Sequence, residues 1–153
     1  MVLNVVYIRK EVIQIINLND IKEFLENDDW KYEEKGEPEN LFIKTRIKGD
    51  HDVFTFYINI SSDALIFRIS DFAKVESMAI DKRAKLLDLL NQQNSKKMFG
   101  KAFLDEDNEL DYLYAMPIDG DTVLDSKAFL RILYTGTNFV DQLYPSIMKL
   151  VWS

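Results

Sequence analysis

The densest run of groups able to do chemistry is Asp105-Glu106-Asp107-Asn108-Glu109, with Asp111 just beyond it. Carboxylates at alternate positions are how proteins supply oxygen ligands to calcium. An EF-hand loop beginning at Asp105 would need glycine at its sixth position and glutamate at its twelfth, and Leu110 and Met116 stand there instead. Acidic and amide side chains are also what an exposed hairpin turn selects, because they tolerate unusual backbone angles and stay hydrated. A turn is therefore the expectation for this run, and a carboxylate-based or metal-assisted hydrolase using Asp105–Asp111 is the alternative. His51 is the single histidine, so any Ser–His–Asp relay or imidazole metal site would have to be built around it. It follows Gly49-Asp50, a turn signal, which points to an exposed imidazole. The chain has no cysteine, which removes disulfides, thiolate metal sites and a cysteine nucleophile. Its five glycines, at 36, 49, 100, 120 and 136, form no P-loop, GxGxxG or GxSxG. No catalytic, cofactor-binding or metal-ligating residue is assigned, and no cofactor is expected.

Lys44, Arg46 and Lys48 put three cations on one face of a strand. Such a row can grip an acidic partner or a phosphate chain, and it is also how an exposed strand guards against aggregation. No aromatic interleaving is evident on that face, and the chain carries a net charge of −7. A negative field repels phosphate backbones, so nucleic acid is not expected as a partner. The apolar start Met1–Ile8 has no basic residue before it and no small-residue cleavage site after it. It does not fit a signal peptide and is too short to span a membrane, so the expectation is a cytoplasmic protein.

The elements that would position these groups follow from hydrophobic periodicity. With 153 residues, 47% apolar and 29% charged, and only three prolines, the chain reads as one domain. Residues 1–18 fit either a strand or a helix, since their β-branched residues suit the first and Val5, Ile8, Val12 and Ile15 form a stripe for the second. Asn19 or Asp20 is positioned to cap a helix carrying Ile21, Phe24 and Leu25, ending by Asp28-Asp29. The period then changes to two. A short strand begins at Trp30 and Tyr32. Leu41, Ile43 and Ile47 mark the next, Phe54, Phe56, Ile58 and Ile60 a third, and Leu65, Phe67 and Ile69 a fourth, joined by tight polar turns as an antiparallel meander. Ile80 to Asn94 reads as a helix with Ile80, Ala84, Leu87 and Leu90 on the inner face, widened by Leu86 and Leu89. A second hairpin runs from Phe99 to Leu104 and from Leu110 to Met116. A last helix starts near Asp125 and should end or kink near Pro145, which lacks the amide hydrogen a helix interior needs. The order α-β-β-β-β-α-β-β-α describes an α+β fold, an antiparallel sheet with helices packed on one face.

Two features lean toward protein contacts. Gly136 lies inside the last helix, where it costs about 1 kcal/mol relative to alanine, and either admits a close neighbour or is simply tolerated. The tail 147–153 stays apolar, and either packs back on the domain or forms a patch for a partner or a second copy. Phe129, Ile132, Leu133, Gly136, Val140, Ile147 and Trp152 are the candidate partner-binding residues, with a homodimer through the final helix as one outcome.

The stretch Leu86-Leu87-Asp88-Leu89-Leu90-Asn91-Gln92-Gln93-Asn94, followed by Phe99-Gly100-Lys101-Ala102-Phe103-Leu104-Asp105-Glu106-Asp107, resembles the YbjN family. That family's pattern joins a helix ending in LLNxxN, a GxF strand, an acidic turn, a second strand and a last helix ending near LYP, here Leu143-Tyr144-Pro145. Phe24-Leu25 and Trp30 resemble its opening. The likeness spans 19–146 and leaves the first 18 residues and the tail outside. It implies a fold similar to type III secretion chaperones, which are small acidic dimers holding extended client segments on apolar grooves. It supplies no catalytic residue. Asn91 and Asn94 match the pattern and are expected to end their helix by bonding its free carbonyls or the next turn. The function expected is a non-enzymatic, chaperone-like or regulatory module that holds segments of a partner protein.

Overall fold

A computed structural model describes residues 16–61, 63–75 and 78–153. The first 15 residues, and with them the choice between strand and helix there, lie outside the described residues. Helix α1 (Leu18–Asn27) is followed by strands β1 (Tyr32–Lys35), β2 (Phe42–Lys48), β3 (Val53–Ser61) and β4 (Ala64–Ile69). Helix α2 (Ile80–Ser95), strands β5 (Lys101–Leu104) and β6 (Leu110–Pro117), and helix α3 (Ser126–Trp152) complete the order. All six strands form one antiparallel sheet, in the order β1-β2-β3-β4-β6-β5. This is the α+β arrangement that the periodicity predicts.

Alternation decides the two faces of the sheet. Ile43 and Ile47 on β2, Phe54, Phe56 and Ile58 on β3, and Leu65, Phe67 and Ile69 on β4 are buried on one side. Leu110 and Tyr112 of β6 join them through the register Ile69↔Tyr112. Thr45 is buried on this face as well, with its hydroxyl donating to the Lys31 carbonyl at 2.9 Å. Against this face α3 lays Phe129, Leu133, Gly136, Phe139, Val140, Leu143 and Ile147. The Phe129 ring lies between Phe24 of α1 and Phe67 of β4, with centroids 5.4 and 5.7 Å away. Each fully buried phenylalanine or leucine here contributes about 1.5–3 kcal/mol relative to exposure.

Gly136 makes this contact possible. A Cβ there would stand 2.9 Å from the Tyr112 ring and 3.1 Å from the Phe56 ring. The missing side chain admits the protein's own sheet.

Four local expectations change. The cap of α1 is Asn17 rather than Asn19 or Asp20. Asn17 accepts from the amides of Asn19 (2.9 Å) and Asp20 (3.2 Å), and its own amide donates to the Asp20 carboxylate at 2.8 Å. Asp20 is thus the return arm of a capping box. The inner face of α2 is Leu86 and Leu90 with Leu89 and Gln93 beside them, while Ile80 is 90% exposed and Ala84 and Leu87 also face solvent. Leucines at 86, 87, 89 and 90 spread over an arc of about 160° at 3.6 residues per turn, so periodicity alone does not choose which part of it is buried. Strand β5 starts at Lys101, because Gly100 takes φ +72° and turns the chain off the strand line. Helix α3 does not end at Pro145. A proline inside a helix costs about 3 kcal/mol, and the turn after it buries Ile147 fully and Met148, Leu150 and Val151 in part. At about 1.5–3 kcal/mol for each large apolar side chain fully buried, that gain offsets the loss.

Candidate functional site

The acidic run forms the β5–β6 turn. One oxygen of Asp105 accepts from the amides of Asp107 (2.9 Å) and Glu109 (2.8 Å), and Asn108 takes the left-handed φ of 59° that closes the reversal. Ligand oxygens of Asp105, Glu109 and Asp111 come within 4.8 Å of one another. The fully buried Asp111 is already engaged: Arg68 binds its Oδ2 through Nε (2.8 Å) and Nη2, and the Asp71 amide donates to Oδ1 at 2.8 Å. The Arg68 guanidinium also reaches Asp105 at 4.0 Å. Burial pushes the Asp111 carboxyl up, Arg68 draws it back, and Asp105 adds to the rise. Arg68 therefore faces two of these three carboxylates, and its bonds to Asp111 tie the end of β4 to β6.

His51 is exposed, as its turn position suggests. It belongs to a clamp across the β2–β3 turn. Asp141 of α3 accepts from the amides of Asp50 and His51, each at 2.9 Å, and lies 3.3 Å from His51 Nδ1. Burial alone would raise the Asp141 carboxyl, but these donors together hold it below the ordinary carboxylate value. The His51 imidazole stacks on Tyr144 at 6.5 Å. The geometry fastens a turn to a helix.

The outer sheet face carries Lys44, Arg46 and Lys48, and here the expectation of no aromatic interleaving fails. Phe42 shares their side of β2, and Tyr57, opposite Lys44 on β3, packs on it at a centroid distance of 5.9 Å. Phe42 stands on the same strand two residues before Lys44 and is visible in the sequence, whereas Tyr57 on the facing strand is not.

The candidate partner-binding residues separate. Phe129, Leu133, Gly136, Val140 and Ile147 are buried against the sheet and belong to the core, which corrects their assignment to a partner surface. Ile132 is half-buried, and Trp152 is 79% exposed at the end of α3, beside Val151 and Lys82.

Ile132 lines a groove of about 290 Å³ between β6 and the start of α3, with Phe99, Tyr114, Met116, Val123 and Leu124. Val123 is 90% exposed, Met98 88% and Phe99 59%. Strand β6 pairs with the whole of β4, from Ile69↔Tyr112 to Ala64↔Pro117. It pairs with β5 only as far as Lys101↔Leu113. Beyond that point Gly100 bends the chain aside, and a Cβ there would collide with the Tyr112 hydroxyl. Burial pushes the Tyr112 phenol up to about 12, so it stays neutral in this wall. A hollow of about 380 Å³ lies where further strand residues would have been, between Met98–Lys101 and Leu113–Pro117. It shares Phe99, Tyr114 and Met116 with the groove. The free edge of β5 is closed by Asn94, whose amide donates to the Ala102 carbonyl (2.8 Å) and accepts from its N–H (3.0 Å). Asn94 thus bonds the next strand rather than the carbonyls of its own helix.

Sequence reasoning missed this groove. Its traces were two apolar pairs in polar surroundings, Met98-Phe99 after Lys96-Lys97 and Val123-Leu124 between acidic residues. Among the described residues, no helix is long and apolar enough to cross a membrane.

The fold is similar to a solved structure described as "Crystal structure of YbjN, a putative transcription regulator from E. coli". The TM-score is 0.56 at 14% identity, over 85% of this chain and 91% of that one, a likeness of fold alone. No curated protein matches the sequence. A family model described as "YbjN: Putative bacterial sensory transduction regulator" matches residues 17–148, from the cap of α1 to near the end of α3. The chain belongs to the YbjN family.

Proposed function

We propose that this chain is a non-catalytic regulatory module of the cytoplasm that binds a segment of another protein in the groove between β6 and α3. The observation that carries this reading is the gathering of exposed large apolar side chains at one place. Phe99 and Val123 border the groove, backed by Tyr114, Met116, Leu124 and Ile132, and Met98 borders the adjoining hollow that shares Phe99 with it. Contiguous exposed apolar surface of this kind marks interaction sites in soluble proteins. The family description supports a regulatory role, and the net charge of −7 favours a protein over a nucleic acid as partner. Asp111, which follows the acidic turn, is engaged by Arg68 and the Asp71 amide and links β4 to β6.

A photo-crosslinking amino acid placed at Val123 and, as a control, at Glu39 in the β1–β2 turn tests this reading in the source cell. The expected result is a discrete protein adduct from position 123 that is absent from position 39. Ile132→Glu should remove that adduct while the thermal unfolding curve stays cooperative. Equal labelling from both positions, or none from position 123, sinks the assignment.

A further inference from the structure

The backbone of β6 says how a segment would lie in the groove. The Leu110 carbonyl accepts from the Phe72 amide at 2.9 Å, and the Ile118 amide donates to the Asp63 carbonyl at 2.8 Å, both on the β4 side. Backbone polar groups alternate sides along a strand, so the even-numbered residues of β6 turn theirs toward β4 and the odd-numbered ones turn theirs away. Of the odd-numbered residues, Asp111 and Leu113 stand opposite Phe103 and Lys101 of β5. Ala115 comes next, and no described strand stands beside it; its N–H and C=O face the 380 Å³ hollow. Pro117 has no N–H to offer. On this side of the sheet Asn94 occupies the edge at Ala102, and Ala115 is a described position of β6 with no strand beside it.

We propose that the partner segment binds as an added strand, continuing the line of β5 and exchanging two backbone hydrogen bonds with Ala115. This rests on the segment-binding reading above. Strand addition of this kind uses main-chain bonds for affinity and alternate side chains for selectivity. The partner residue facing Ala115 points to the outer face with it. Its two neighbours point inward with Tyr114 and Met116, into the groove closed by Val123, Leu124 and Ile132. The groove also holds the exposed Arg131, which makes no ion pair among the described residues. That cation in an acidic molecule sets the charge of the occupant. The segment is short and extended, with apolar residues two apart and a carboxylate at the end near Arg131.

The test uses the whole chain and a pool of fluorescein-labelled, acetylated hexapeptides read by anisotropy. The pool has valine, leucine, isoleucine or phenylalanine at two positions and glutamate at one end. Peptides with the apolar residues two apart should bind at least about ten-fold tighter than those of the same composition with them three or four apart. N-methylation of the residue between the apolar pair should weaken binding about ten-fold or more, because it removes a backbone donor and blocks approach. Arg131→Glu should reverse the preference from a glutamate end to a lysine end. If Ile132→Glu abolishes binding but N-methylation changes nothing, strand addition fails and groove binding stands. Tighter binding of the helically spaced peptides also overturns strand addition. If no peptide of either spacing binds, both readings fail. If sedimentation shows self-association that Phe99→Ser abolishes, the occupant is a second copy and the proposal is overturned.

Discussion

Asp141 sits in the middle of α3 with its carboxylate turned to the β2–β3 turn, so one side chain holds two elements distant in sequence. Its carboxyl lies below the ordinary value of 3.8, because the amides of His51 and Asp50 and the His51 imidazole outweigh burial. A depressed carboxyl contributes stability that is present above the unfolded-state value and is lost as pH falls through the folded one. Asp141→Asn should therefore destabilise the protein by about 1–3 kcal/mol at neutral pH. The gap between parent and variant should close below about pH 4. Thermal unfolding followed across that range measures both, and an unchanged gap at low pH refutes the assignment. The sequence shows an aspartate in a helix and a histidine in a turn. Nothing in their spacing announces that the two meet.

Asn94 carries a comparable lesson at the scale of elements. Its amide copies the backbone of a neighbouring strand and completes Ala102 at the edge of the sheet. Asn94→Ala leaves a backbone donor and acceptor without their partner, and the expected loss is about 1–3 kcal/mol. Hydrogen exchange at the Ala102 amide should accelerate in the variant, and an unchanged rate would refute the clamp. The strands were legible because each buries alternate residues on one face, a period that survives without tertiary information. The inner face of α2 was not, because its leucines spread over a wide arc of the helix and the sheet chooses among them. Nor was the run of α3 past Pro145, which depends on what Ile147 finds to bury against.

Among the described residues, one sheet face is dry and roofed by three helices, with a break in that roof where β5 stops short. The exposed apolar residues at the break make few core contacts. The double variant Phe99→Ser, Val123→Ser should change stability by no more than about 0.5 kcal/mol per site. It should also clearly lower the fluorescence of a bound apolar dye such as ANS. Unchanged dye binding together with a large loss of stability would mean that these residues are core and that the groove is not a surface feature.

The sequence by itself determined the element order, the α+β class, the dry face of the meander and the family pattern, because these depend on periods of two and 3.6 residues and on local turn chemistry. It also exposed the acidic run as a turn, since the calcium spacing breaks within six residues. Tertiary structure alone decided which apolar residues remain uncovered. Burial is a property of what lies opposite, and a side chain such as Phe129 or Val123 carries no local mark of whether the sheet reaches it. The same holds for Ala115, which has no strand beside it on the β5 side because a glycine fifteen residues earlier turns the chain away.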